Sequence, residues 1–224
     1  MRLNGNLNYS ADSFFQHDYW LYNLRAGDYQ LVSVVLNLGL IMIALALGWV
    51  FSVYFRRTGF RTATQKIIAL FIFFFWLIFA PNTLYVISEI RHLLNFCPLD
   101  SPFKICAKGV WVIMFFFSYA AAGWWSYWYL LKRMAGTISD ALRLRSPLPF
   151  AIFAIPVISL GYLVGLLDRW NTWELFLFPS DFFRTVSYYF TTAVGALNLL
   201  LATAFGYWFY FLGERVFKYG KDND

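Results

Sequence analysis

Charged residues are scarce in this chain of 224 residues. Asp, Glu, Lys and Arg together make up 13% of it, whereas an ordinary soluble domain carries about a quarter. Apolar residues make up 60% and aromatic residues 23%. This number of charged residues is too small to cover the surface of a globular protein in water. The composition therefore excludes a soluble protein.

Histidine is also rare, and the sequence contains no obvious internal repeat. The two histidines, His17 and His92, both fall outside the predicted spans, so haem or pigment ligation across a bilayer is poorly supported. Secondary transporters are commonly built from two inverted halves, and five spans cannot be divided in that way. A self-contained transporter is therefore disfavoured.

The apolar residues are gathered into five uninterrupted blocks. Each block is about as long as the roughly 20 residues that cross a bilayer as a helix. The blocks cover residues 31–55, 67–87, 110–131, 148–167 and 188–212. Lipid cannot satisfy backbone N–H and C=O groups, and the alternating pattern of a membrane barrel is absent. The sequence therefore predicts an all-α, polytopic bundle of five transmembrane helices.

The charges between the blocks predict how the bundle is oriented. On one side, the loops and the C-terminal tail carry eleven basic and four acidic residues, whereas the other side carries seven basic and eight acidic residues. By the positive-inside rule the first side is cytoplasmic, so the N-terminus lies outside and the C-terminus inside. Residues 1–30 are then an outer, aromatic interfacial segment, residues 31–212 the membrane domain, and residues 213–224 a cytoplasmic tail. The basic residues reflect this topology, and no nucleic-acid partner is predicted.

Both cysteines fall in one predicted outer loop. Cys97 and Cys106 enclose eight residues, among them Pro98 and Pro102. In a bacterium that side of the inner membrane is oxidising, so a disulfide between the two cysteines is predicted. Two free thiols, or a metal pair without enough partners, are the alternatives.

Polar residues interrupt the end of the second span. Pro81 removes a backbone donor and is expected to kink the helix. Asn82, Tyr85, Glu89 and His92 follow at spacings that place them on one helical face. Asn82 lies about 15 Å deeper than His92, at about 1.5 Å per residue, so its amide is expected to face the bundle.

The fourth span ends in a similar polar segment. Gly161 and Gly165 form a small-xxx-small surface on which a neighbouring helix can approach closely. We expect the second, third and fourth spans to pack together. The charged and aromatic residues that follow the glycines are Asp168, Arg169, Trp170, Asn171, Trp173 and Glu174.

These two segments resemble the signatures of a known family. Residues 79–94 are similar to F-P-N-A-P-Y-x-x-T-D-x-x-H-L, and residues 161–174 to G-x-Y-L-G-R-F-x-R-W-N-S-W-D, of the bacterial membrane family called domain of unknown function 1361. The identical positions are Pro81, Asn82, Tyr85, His92, Gly161, Gly165, Arg169, Trp170, Asn171 and Trp173. Thr83, Leu84 and Leu166 depart from the pattern. The resemblance implies a helical membrane fold and a candidate site, and no activity.

Three interpretations of the candidate site remain open. Glu89 and His92 have the E-x-x-H spacing that lets one helix offer two metal ligands or a base and an acid, with Asp168 and Glu174 as further members. Alternatively, these residues, with Arg91 and Arg169, form a structural cluster of ion pairs that holds helix ends together. A transport pathway is the third interpretation. No metal or cofactor is assigned.

Two functions are predicted from these interpretations of the site. The sequence favours an accessory or scaffolding subunit of the bacterial inner membrane, surrounded by the lipid bilayer and packed against other membrane subunits. The alternative is an outer-leaflet enzyme, with or without a metal ion, that acts on a lipid-linked substrate through Glu89 and His92 with Asp168 and Glu174.

Overall fold

The computed structural model describes residues 25–26, 29–93, 110–172 and 174–217. A two-residue antiparallel pairing, β1 (Arg25–Ala26) with β2 (Tyr29–Gln30), precedes the helices. The helices are α1 (Leu31–Thr58), α2 (Ala63–Phe79), α3 (Pro81–Ser88), α4 (Val110–Leu142), α5 (Leu148–Leu166), α6 (Glu174–Leu177), α7 (Pro179–Thr191) and α8 (Ala193–Val216). A 3₁₀ segment, Glu89–His92, continues α3.

Within these described residues, four helical stretches are long and apolar enough to cross a membrane. They are Leu31–Thr58, Ala63–His92, Leu148–Leu166 and Ala193–Val216. The prediction of a multi-pass, helical membrane protein is thus confirmed. The third predicted span, residues 110–131, lies in α4 and is not among the four, because Trp, Tyr, Ser and Gly dilute its apolar side chains.

Helix α4 lies at the centre of the bundle. It packs against α1, α3, the 3₁₀ segment, α5 and α8. Its polar side chains are used within the protein: Tyr127 donates to the carbonyl of Gly206 at 3.2 Å, and Trp124 Nε1 donates to the carbonyl of Phe209 at 2.8 Å. Helix α4, which is less apolar than the four stretches named above, is therefore surrounded largely by other helices.

The predicted fifth span, residues 188–212, is divided in the structure. Its first residues belong to α7, and a new helix, α8, begins at Ala193. The helix is interrupted at Thr192, whose backbone is extended, with φ −116° and ψ 145°. Its hydroxyl accepts the N–H of Gly195 at 3.1 Å and so caps α8. The continuous span from residue 188 was wrong at its start, and α8 runs four residues beyond the predicted end.

Pro81 divides the second apolar block into α2 and α3. The break is stabilised by the two side chains that follow the proline. Asn82 Nδ2 donates to the carbonyl of Phe79 at 2.9 Å, and Thr83 Oγ1 donates to the carbonyl of Ala80 at 2.7 Å. These bonds satisfy carbonyls near the proline, whose ring interrupts the helical ladder.

Glycine allows α3 to lie close to both of its neighbours. A Cβ atom added to Gly123 of α4 would lie 2.9 Å from a methyl group of Val86, and one added to Gly161 of α5 would lie 2.5 Å from Cγ of Pro81. Helices α3, α4 and α5 contact one another, as predicted for the second, third and fourth spans. This packing brings the polar segments after α3 and α5 to the same end of the bundle.

Candidate functional site

Glu89 is a charged residue in the interior of the protein. Only 3% of its surface is exposed. Its Oε1 lies 3.4 Å from Nη2 of Arg91, and its Oε2 lies 3.6 Å from Nε2 of His92. The E-x-x-H spacing thus brings the acid and the imidazole together, because the 3₁₀ segment folds the Arg91 guanidinium and the His92 imidazole back onto the carboxylate. A buried carboxylate needs such partners because its desolvation is costly.

The side chains of Arg91 and His92 also contact residues of α3 and α4. The Arg91 guanidinium lies 5.7 Å from the ring centroid of Tyr85 in α3, which is a cation–π distance. The His92 ring stacks on Phe116 of α4, with ring centroids 6.4 Å apart. The cluster therefore fixes the end of α3 against α4.

Asp168, just after α5, binds a tyrosine of α7. Its Oδ2 accepts a hydrogen bond from the Tyr189 hydroxyl at 2.6 Å. Burial raises the pKa of Tyr189 above its usual value of 10.0, and the hydrogen bond to Asp168 raises it further. The phenol therefore remains a donor at neutral pH, and the bond joins α7 to the end of α5.

Glu174 is buried at the start of α6, with 7% of its surface exposed. Its Oε2 accepts the backbone N–H of Asn171 at 2.6 Å and the side-chain amide of the same residue at 3.3 Å. An acid that reaches back three residues to a backbone N–H performs the acid's part of a capping box. The Glu174 carboxylate therefore stabilises the conformation of the loop after α5.

Arg169 has an unusual backbone conformation. Its φ of +59° places it in the left-handed region, which few residues other than glycine adopt. The turn brings Trp170 back over α5, where its N–H donates to the carbonyl of Val164 at 3.3 Å. Gly165 lies under this turn, where an added Cβ would be at an ordinary contact distance of 3.8 Å from the carbonyl oxygen of Trp170.

The ends of α3 and α5 enclose a cavity of about 260 Å³. Four residues predicted for the site line it, namely Asn82, Tyr85, Trp170 and Asn171. Most other lining side chains are apolar and come from α2, α5 and α7. Glu89, His92, Asp168 and Glu174 are not among the residues that line it. The residues with acid–base chemistry are thus separate from the walls of the cavity.

Arg169 is exposed after the end of α5, and the predicted metal alternative depends on the acids and the histidine around it. In the part of the chain that the structure describes, no group of three or more His, Cys, Asp or Glu side chains is placed to hold a metal ion. The predicted metal alternative thus has no assembled ligand set there.

Three residues of α7 belong to this region and were not predicted. Phe182 and Val186 line the cavity, and Tyr189 binds Asp168. The predicted fifth span, residues 188–212, included Tyr189, whereas Phe182 and Val186 lay before that span, where no helix was predicted. A signal was present: Pro179 at the first helical turn, followed by Asp181, is typical of a helix start.

Some predicted residues lie outside the described residues. Trp173, Cys97 and Cys106 are among them, as is the predicted interfacial segment apart from the backbone of β1 and β2. Their assignments, including the disulfide, stay predictions.

Comparison with known proteins supports the resemblance in the two segments. The family model described as "Protein of unknown function (DUF1361)" matches residues 36–211. The chain belongs to this family. The match extends over the bundle from α1 into α8, so the predicted DUF1361 membership is confirmed. A search of curated proteins and a search of solved structures find no match to the chain.

Proposed function

We propose that this DUF1361 protein is an accessory or scaffolding subunit of the bacterial inner membrane. The observation that carries the proposal is that the acids with catalytic potential are engaged in holding helix ends. Glu89 binds Arg91 and His92 of its own 3₁₀ segment, Asp168 binds α7, and Glu174 binds the loop before α6. Such contacts are what a structural cluster requires.

The proposal includes five spans, with the N-terminus outside and the C-terminus in the cytoplasm. Helix α4 is the span to be added to the four apolar stretches, and it is the third in chain order. Its 33 residues extend about 50 Å at about 1.5 Å per residue, more than the bilayer core of about 30 Å. Its position among the other helices supports this, since its polar side chains are partly shielded from lipid. The positive-inside rule supports the orientation.

The lateral surface supports contact with other membrane subunits. Large aromatic side chains are exposed on several helices, including Trp49 of α1, Trp125 of α4 and Trp208 of α8. Trp and Tyr are enriched where membrane proteins meet the interface and where proteins meet each other. Lipid covers such side chains in an isolated subunit, and partner helices cover some of them in a complex.

The cavity favours a second candidate, an outer-leaflet enzyme that acts on a lipid-linked substrate. Tyr85 lines the cavity and lies under the Arg91 guanidinium, which in turn contacts Glu89. The side chains of Tyr85 and Arg91 would therefore lie between a ligand in the cavity and the carboxylate of Glu89. In this candidate Glu89 and His92 act as base and acid, with Asp168 and Glu174 in support.

Replacement of the buried carboxylate by its amide distinguishes the two functions. In the structural function, Glu89→Gln removes the charge that pairs with the Arg91 guanidinium, and the free energy of unfolding falls by about 1–3 kcal/mol. Asp181→Asn is the control, because Asp181 is exposed, and we expect a change below about 0.5 kcal/mol. Both values are measured by titration of the purified proteins with SDS in mixed micelles. Unchanged stability of the Glu89 variant would favour the enzyme.

The scaffolding role itself is tested in native membranes. Chemical cross-linking followed by mass measurement is expected to give complexes of constant composition that contain the protein. A second preparation in which the protein carries Glu89→Gln is expected to give fewer of them, in proportion to the loss of folded protein. A protein that remains single at every cross-linker concentration would contradict the role.

A further inference from the structure

The walls of the cavity change character along the helix axis. Phe74 and Leu77 of α2 line one end, and Asn82 and Tyr85 of α3 line the other. From residue 74 to residue 85 the helices rise about 16 Å at about 1.5 Å per residue. The cavity is therefore long, apolar at the end that lies deeper in the span, and polar but uncharged toward the end of the span.

Helix α5 provides the opposite wall in the same order. It runs in the same direction as α2 and α3, because Phe150 stacks near Trp76 at its start and Gly161 contacts Pro81 further along. Val157 lines the deep end of the cavity, and Asn171, after the helix, lines the polar end. Both walls thus place hydrocarbon at one depth and amides at another.

A positive charge lies beside the polar end. Arg169 directly precedes Trp170, which lines the cavity beside Asn171. The side chain is exposed, and the left-handed backbone at this position is an uncommon conformation for arginine. Guanidinium groups bind phosphate through two parallel hydrogen bonds.

We propose that a phospholipid of the surrounding bilayer binds in this cavity. One acyl chain lies between α2, α5 and α7, the ester region lies at Asn82, Tyr85 and Asn171, and the phosphate binds Arg169. The order of hydrocarbon, neutral polar groups and cation along the cavity is the chemical order of a phospholipid that stands along the bilayer normal. This site goes beyond the scaffolding role and does not depend on it.

The order of the lining groups favours a lipid over a helix of a partner protein. Leu77 and Val157 line the apolar end of the cavity, and Asn82 and Asn171 line the polar end. A partner helix would have to match this order with its own side chains, whereas a phospholipid carries hydrocarbon, esters and a phosphate in this order. Water gains little from walls that are mostly apolar.

A photoreactive lipid tests the site in the whole protein. The purified chain is reconstituted in vesicles of phosphatidylglycerol and phosphatidylethanolamine that contain phosphatidylglycerol with a diazirine near the end of one chain. After illumination, adducts are mapped by mass spectrometry. We expect adducts at Leu77 and Val157, with yields at least tenfold above that at Phe153, which is 77% exposed and does not line the cavity. Equal yields at the three positions would overturn the proposal.

Filling the cavity provides the matched comparison. Val186→Trp places a large ring against the cavity wall of α7, whereas Val194→Trp makes the same change on the exposed surface of α8. The first variant is expected to lose at least nine-tenths of the cavity adducts, and the second to keep them. If Val186→Trp fails to elute as a folded species, Val157→Phe, at a half-exposed lining position, replaces it. Cavity adducts that persist in the folded filled variant, or a protein segment cross-linked there instead, would refute the lipid site.

The role of Arg169 needs a second probe. Arg169→Gln is expected to reduce cavity adducts of the phosphatidylglycerol probe about tenfold, and to leave those of a diacylglycerol with the same diazirine chain unchanged. Only the first probe carries a phosphate, so the difference measures the contact with the guanidinium. An equal loss with both probes would show that Arg169 shapes the loop and would overturn the phosphate contact.

Discussion

The contact between Gly161 and Pro81 supports a quantitative prediction about the packing of α5 on α3. In Gly161→Ala the new Cβ would lie 2.5 Å from Cγ of the proline ring, whereas carbon atoms in good contact are about 3.5–4.0 Å apart. The proline ring is part of the backbone and cannot rotate away. The two helices must therefore separate by about 1 Å, and overpacking of this kind costs about 1–3 kcal/mol.

Alanine also favours the helix by itself, so the comparison needs a matched glycine. Gly39 lies in the interior of α1, and an added Cβ there meets nothing within 4 Å. Gly39→Ala and Gly161→Ala both gain the helical preference of alanine over glycine, which is up to about 1 kcal/mol. The difference between the two variants therefore isolates the steric cost, and we expect Gly161→Ala to be less stable by about 1–3 kcal/mol.

Equilibrium unfolding by SDS in mixed micelles measures this difference. Gly165→Ala serves as a second control from the same small-xxx-small motif, since its added Cβ would be at an ordinary contact distance of 3.8 Å. It is expected to behave like Gly39→Ala. If Gly161→Ala unfolds at the same SDS fraction as the two controls, α5 and α3 do not approach as closely as described, and the argument from the glycine spacing fails.

Two further outcomes concern the loop between α3 and α4 and the end of α5. On intact cells an impermeant maleimide is expected to label Cys97 and Cys106 only after an impermeant reductant is added; labelling without reductant contradicts the disulfide, and labelling by a permeant reagent alone contradicts the outer location. Tyr189→Phe is expected to lower the free energy of unfolding by about 1.5–3 kcal/mol, because it removes the bond to Asp168, while exposed Tyr188→Phe changes little. Since burial and Asp168 raise the pKa of Tyr189, its stabilisation is complete below about pH 10 and is lost above it. The wild type should therefore lose more stability than Tyr189→Phe in that range, and equal losses would contradict the assignment.

Features that depend on local chemistry could be predicted from the sequence. The apolar blocks gave the helical membrane fold, because hydrocarbon leaves backbone groups no partners except those within a helix. Pro81 gave the break between α2 and α3, and the glycines gave the packing of α3, α4 and α5. The two polar segments gave the family, whose model matches residues 36–211.

Other features could not be predicted because they depend on which surfaces meet. Trp124 and Tyr127 of α4 bind carbonyls of α8, which no local pattern specifies. The last four residues of α7, residues 188–191, were predicted as part of a span because tyrosine and phenylalanine are frequent in both spans and amphipathic helices. In the structure, the extended backbone of Thr192 and its side-chain cap separate α7 from α8.

The candidate site shows the same division. The sequence by itself determined which polar residues lie near the end of the second and fourth spans, because charge and amide groups are expensive in hydrocarbon and stand out there. The tertiary structure alone decided that Asn82, Tyr85, Trp170 and Asn171 line a cavity, whereas Glu89, Asp168 and Glu174 bind partners within the protein. Side chains on one helical face share a direction, but what they meet is set by the packing of α3, α5 and α7, and that packing depends on contacts distant in sequence.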